Sequence, residues 1–190
     1  MKTITKEQED FLNKCTNGNW ELNPETGLVD VDGDFNCSDM GLSDFLGIEF
    51  GDIRENFSCS RNELVSLKGA PQEVSRNFYC VNNKLVFLEG APKKVGKSFD
   101  CSRNKLTSLE GAQQEVKGSF DCSDNNLVSL EGAPQKVGWD FFCDPLPLRG
   151  CPSNLLKRIY FSIDISLSDL IRDIDDINGL APEIYLKKMI

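Results

Sequence analysis

The chain has no histidine among its 190 residues, and only two tryptophans and three methionines. The missing imidazole removes the usual general base and most nucleophilic triads, and neither a phosphate-cradling P-loop nor a dinucleotide-binding glycine pattern occurs. No stretch approaches the ~18 apolar residues of a membrane span, and the opening MKTITKEQEDFL has no basic-then-apolar secretion pattern. From these absences we expect a non-enzymatic protein that uses no cofactor, resides in a cytoplasm and has no membrane partner. A basic cluster is also lacking. Residues 1–56 hold four Lys/Arg against thirteen Asp/Glu, 57–145 eleven of each and 146–190 six of each, so the net charge of -9 is all N-terminal. Phosphate backbones are held by clustered cations, so nucleic acid is not an expected partner.

What the chain does have is cysteine at a fixed interval. Cys37, Cys59, Cys80, Cys101, Cys122 and Cys143 are separated by 22, 21, 21, 21 and 21 residues. The phrase around them recurs almost verbatim: VGKSFDCSRNKLTSLEGA from Val95 returns as VKGSFDCSDNNLVSLEGA from Val116. A period near twenty is the mark of a solenoid, whose coils bury a shared core. Six residues before each cysteine stand Val31, Ile53, Val74, Val95, Val116 and Val137, and two before it Phe35, Phe57, Phe78, Phe99, Phe120 and Phe141. Phe and Cys alternate with the residue between them, which predicts a strand carrying both inward. Three residues after the cysteine comes Asn62, Asn83, Asn104 or Asn125, expected to form a ladder that satisfies backbone groups of adjacent coils. Leu64 and Leu67 and their equivalents follow, then Gly69, Gly90, Gly111 and Gly132, then alanine, then Pro71, Pro92 and Pro134, with Gln113 as the exception. The return segment is too short and too rich in Gly and Pro for a helix, so an extended or PPII-like back face is expected.

These residues resemble leucine-rich repeats, whose core reads LxxLxLxxNxL, with Phe and Cys at the two strand leucines. The likeness covers roughly residues 31–151 and is nearest the short bacterial class. The CSxNxLxSLxGAP style also resembles repeats encoded by large tailed phages. The resemblance implies an α/β fold: a short-repeat leucine-rich-repeat solenoid with one parallel sheet, a helical N-terminal cap and a helical C-terminal segment. It also implies a protein partner, a host enzyme or defence factor met in the host cytoplasm. Some proteins of the bacterial class carry a ubiquitin-ligase domain, for which no matching segment surrounds Cys143 or Cys151.

The ends should be caps, since an open solenoid exposes apolar faces and strand edges. We expect residues 1–34 to cap one end, 35–151 to form the solenoid and 152–190 to cap the other, all in one structural domain. Thr5 with Gln8 is a capping-box signal for a short helix bearing Phe11 and Leu12, followed by strands at Trp20–Leu22 and Val29–Val31. Beyond the repeats, Asn154–Tyr160, Leu170–Ile177 and Pro182–Met189 are expected helical and Phe161–Ile165 extended, with a homo-oligomer contact as a second use for these helices. Trp139 and Phe142 are expected beneath the C-terminal cap.

Six stacked thiols invite a redox or metal reading, but no CxxC pair or histidine accompanies them, and cysteine at a buried leucine position behaves as a small hydrophobe. Cys15, at a helix end, is expected to be accessible. Asp30, Asp32 and Asp34 miss the EF-hand spacing, because Gly33 and Gly41 fall at loop positions four and twelve, so a cap strand with one wet face is expected. For binding, Tyr79 and Val81 break the polar columns flanking the cysteines. With Asp100, Asp121, Arg61 and Arg103 around them they suit a hot spot with a polar rim, and Phe87 replaces a serine column nearby. The alternative is an acidic decoy acting through Asp30, Asp32 and Asp34.

Overall fold

The computed structural model describes residues 3–144 and the backbone of Ile159–Phe161. The chain opens with helix α1 (Lys6–Cys15). Its first turn is closed by the predicted capping box: the Gln8 N–H donates to Thr5 Oγ1 and the Thr5 N–H to Gln8 Oε1. One side of α1 buries Phe11, Leu12 and Cys15. Strands β1 (Asn19–Leu22) and β2 (Val29–Asp32) follow as an antiparallel pair, after which every coil contributes two short strands.

One set comprises β3 (Phe35–Asn36), β5 (Phe57–Ser58), β7 (Phe78–Tyr79), β9 (Phe99–Asp100), β11 (Phe120–Asp121), β13 (Phe141–Cys143) and β14 (Ile159–Phe161), which together form a seven-stranded parallel sheet, the Phe sheet. The other set is β4 (Phe50–Ile53), β6 (Glu73–Val74), β8 (Lys94–Val95), β10 (Glu115–Val116) and β12 (Lys136–Val137), which extend β1 and β2 into a second seven-stranded sheet, the Val sheet. The sequence predicts one sheet and an extended back face; the structure has two. The Val sheet exists because a charged residue followed by valine in each coil alternates outward and inward, so even two residues stack in register, as in Glu73↔Lys94 and Val74↔Val95. The third side of each coil carries the paired leucines without forming a strand. The result is a three-sided parallel solenoid of about five turns with one N-terminal helix.

Its interior is built from columns. Phe35, Phe57, Phe78, Phe99, Phe120 and Phe141 stack with ring centroids 5.0 to 5.5 Å apart, the offset geometry aromatic rings favour. The six repeat cysteines are wholly buried, as the alternation requires. Each thiol from Cys37 to Cys122 also donates to a carbonyl of the next coil, for instance Cys101 Sγ to Asp121 O at 3.3 Å, the same oxygen that accepts the Cys101 N–H. The asparagine ladder is present as predicted. Asn104 Nδ2 donates to the carbonyls of Cys80 and Cys101, both at 3.0 Å, and its Oδ1 accepts the Leu85 N–H. A second ladder, unforeseen from the sequence, runs three residues before the cysteine: Asp34, Asn56, Asn77, Ser98 and Ser119 each accept a backbone N–H of the next coil.

The one irregular interval has a local cause. The extra residue between Cys37 and Cys59 lies in β4, where Val29 faces Phe50 but Val31 faces Ile53. This bulge frees the Asp52 N–H, which Asp30 Oδ1 accepts at 2.7 Å. Gly51 stands at the bulge, where a Cβ would collide with that same oxygen.

Three expectations need correction. Cys15 is buried rather than accessible, its thiol 3.5 Å from Met40 Sδ, because α1 lies with that side against the first coil. Trp139 is 61% exposed, since it occupies an outward turn position held by Arg76 and Lys97 in earlier coils. Ile159 and Tyr160, expected at a helix end, belong instead to β14, whose register sets Ile159 beside Phe141 and Phe161 beside Cys143. The expected helix Leu170–Ile177, the turns at Pro182–Met189 and the oligomer contact placed there lie outside the described residues. No helix among the described residues is long and apolar enough to cross a membrane.

Candidate binding surfaces

The outer face of the Phe sheet holds the residues flanking each cysteine. In register across the strands lie Ser58, Tyr79, Asp100, Asp121 and Phe142, so Tyr79 has a serine on one side and a carboxylate on the other. Tyr79 and Val81 are half-buried between their neighbours, and the Val81 N–H donates to Ser60 Oγ at 3.2 Å. Burial, and then the Asp100 charge, raise the Tyr79 phenol above its ordinary range, so it is a neutral donor at physiological pH. Asp100 Oδ1 accepts the Ser102 N–H, while Asp121 Oδ1 accepts both the N–H and the hydroxyl of Ser123. Burial nevertheless pushes the Asp121 carboxyl up, with Asp100 adding to it.

Two residues past the cysteine the backbone turns left-handed, with φ between 54° and 60° at Asp39, Arg61, Asn82, Arg103 and Asp124. Asparagine is at ease there and arginine is not. Both arginines are steered away from the centre: Arg61 forms a bidentate pair with Asp39, 2.6 Å at each nitrogen, and Arg103 Nε reaches Asp124 at 3.3 Å. The structure thus brings Tyr79, Val81, Asp100, Asp121, Arg61 and Arg103 onto one side of the solenoid, as a central aromatic–aliphatic step flanked by splayed cations.

Phe87 is not part of that group. It lies on the third side, 56% exposed, beside Val86. Val65, Val86 and Val128 of the neighbouring column are also exposed, with Thr107 completing it. Sequence reading noticed Phe87 and missed the valines; their signal was an apolar residue recurring directly after the first buried leucine, where period-two alternation points outward.

The N-terminal acids divide. Val29 and Val31 are buried, with Asp30 half-buried and Asp32 exposed on the predicted wet face. Asp30, Asp32, Asp52 and Glu21 line a recess of about 400 Å³ with Asn19, Trp20, Val31 and Arg54. Asp34 turns elsewhere, heading the second ladder, where the Asn56 backbone N–H holds its carboxyl below the usual range. Among the described residues no group of three or more potential ligands is arranged to hold a metal ion. The thiols are no more available: burial raises each repeat thiol from Cys37 to Cys122 far above its ordinary value, and pushes Cys15 up to about 11.

Compared with protein-family models, with curated proteins and with solved structures, the chain finds no match.

Proposed function

We propose that this chain is a non-enzymatic binding module of leucine-rich-repeat type, which occludes or gathers a protein partner on the outer face of the Phe sheet. The observation that carries this reading is a contrast between columns. Inward positions repeat one residue type through successive coils, Phe above Phe and Cys above Cys. Outward positions run Ser58, Tyr79, Asp100, Asp121 over the same backbone. Stacking does not demand that variation, and a half-buried aromatic beside an aliphatic residue, rimmed by Arg61, Arg103, Asp100 and Asp121, has the composition of a binding hot spot. The phage-like repeat style directs the search for the partner to host enzymes and defence factors, which would make the protein an inhibitor. Once a partner is captured and purified, Tyr79→Ser combined with Val81→Ser is expected to weaken its affinity at least ~10-fold, about 1.4 kcal/mol. Unchanged affinity contradicts the assignment.

The recess of Glu21, Asp30, Asp32 and Asp52 supports a second reading, an acidic decoy that occupies a basic site on its target. On that reading affinity falls steeply with added salt and on neutralising Asp30 and Asp32, while the Tyr79 and Val81 changes have little effect.

A further inference from the structure

The outer side of the Val sheet is divided by sign about its middle strand. Its strands run β1-β2-β4-β6-β8-β10-β12, so three lie on each side of β6. Counted with the residues next to them, β1, β2 and β4 (19–22, 29–33 and 51–55) carry five Asp/Glu against one arginine. On the other side, β8, β10 and β12 (93–97, 114–118 and 135–139) carry five lysines against one glutamate. The middle strand and its turn hold one charge of each sign, Glu73 and Arg76. The leucine side shows no such division, since Glu63 is balanced by Lys68, Lys84 by Glu89 and Lys105 by Glu110 within single coils. Ion pairs along the Val sheet, Asp32 with Arg54, Glu55 with Arg76, Glu73 with Lys94 and Glu115 with Lys136, remove equal numbers of each sign. Among the described residues this leaves Glu21, Asp30 and Asp52 without an ion pair at one end, and exposed Lys93, Lys97 and Lys117 at the other. Crowding of like charge shows at Asp52, whose carboxyl is raised by burial and then by Glu73 and Asp30.

We infer that the outer face of the Val sheet is a self-association surface, on which a second copy of this chain docks antiparallel about a two-fold axis lying along β6. An isologous contact must be self-complementary, and equal, opposite blocks on either side of one strand meet that condition. With the axis along β6, β4 lies over β8 of the other copy, β2 over β10 and β1 over β12. Asp52 then faces the Lys93–Lys97 stretch, Asp32 faces Lys117, and Glu21 faces Lys136, each contact occurring twice. A partner of one sign, such as a polyanion or a basic segment, would be drawn to one half of this face and repelled by the other. The antiparallel arrangement also carries the two N-terminal caps, where the net charge of -9 resides, to opposite ends of the pair. Six strand steps of ~4.8 Å by about five residues of ~3.3 Å give ~450 Å² per copy. That lies at the weak end of protein–protein contacts, so association is expected at ~10–100 µM and to be governed by charge. The dimer would cover the recess of Asp30, Asp32 and Asp52 and leave the Phe-sheet face open.

Sedimentation velocity of the full chain across this concentration range tests the inference together with two charge-reversed variants. One combines Lys93→Glu, Lys97→Glu and Lys117→Glu; the other combines Glu21→Lys, Asp32→Lys and Asp52→Lys. The wild type is expected to dimerise, and each variant alone to associate at least ~10-fold more weakly, the second even though its net charge is closer to zero. Mixing the two variants in equal amounts should restore the dimer, which misfolded chains could not do. Tyr79→Ser with Val81→Ser should leave dimerisation unchanged. On the wild type itself, carbodiimide cross-linking of an equal mixture of isotope-labelled and unlabelled chain should join Asp52 of one copy to Lys93 or Lys97 of the other. The inference is overturned if the wild type stays monomeric at ~1 mM, if either variant alone dimerises as the wild type does, or if the mixture stays monomeric. Cross-links between copies that run through the Phe sheet, the leucine side or residues 145–190 instead would also overturn it.

Discussion

At Gln113 a single residue departs from the repeat at a cost. Pro71, Pro92 and Pro134 hold the same place in other coils, so no backbone N–H is needed there, yet Gln113 is 5% exposed and both polar atoms of its amide lack a partner. A buried unsatisfied polar group costs about 1–3 kcal/mol, and a compatible change to proline restricts the unfolded chain by about 0.4–1 kcal/mol more. Gln113→Pro is therefore expected to stabilise the protein by about 1–4 kcal/mol, raising the thermal midpoint ~2–4 °C per kcal/mol. An unchanged or lowered midpoint in calorimetry would show that the amide is satisfied in solution. The left-handed arginines differ in kind: Arg61 and Arg103 could be asparagine, like Asn82, without loss to the turn, and their surface pairs with Asp39 and Asp124 contribute little.

At the scale of elements, two-residue strands have little stability of their own, and the polar ladders between coils hold them in register. Asn104 satisfies carbonyls of Cys80, Cys101 and Ser102 and the N–H of Leu85 while almost fully buried. Asn104→Ala strands these groups, so a loss of about 2–4 kcal/mol is expected in urea unfolding; a loss below ~0.5 kcal/mol would mean that water replaces the amide. Much of this level was legible in the sequence. The Phe–Cys strands, the asparagine ladder, the capping box and the wet face of β2 follow from period-two alternation and from hydrogen-bonding needs local to each coil. The Val sheet was missed because a strand of two residues gives alternation almost nothing to show. The ladder through Asp34, Asn56, Asn77, Ser98 and Ser119 was missed because its members share an acceptor oxygen rather than a residue type. Cys15 was misplaced because its burial depends on where α1 lies against the first coil, which no local pattern encodes.

For the whole molecule, the two sheets and the leucine side enclose one continuous core, so stability comes from coil-on-coil stacking while the three outer faces can vary. The candidate sites were less legible than the fold for that reason. Tyr79 and Val81 stood out only as exceptions in polar columns, and Phe87 proved to belong to another side with Val65, Val86 and Val128. The Asp30 and Asp32 recess appeared only when Asp52 was brought beside them by the β4 bulge. All three readings of function rest on a rigid interior in which the repeat thiols are sealed. Pulse alkylation of the native protein with iodoacetamide, mapped by mass spectrometry, tests this most directly. Cys15, Cys37, Cys59, Cys80, Cys101, Cys122 and Cys143 should be modified only as fast as the protein unfolds, each acquiring the label together in rising urea. Rapid labelling of the Cys59, Cys80, Cys101 or Cys122 thiol in native buffer, or the finding that any of them is tied in a disulfide or to a metal ion, would contradict the stacked-coil account.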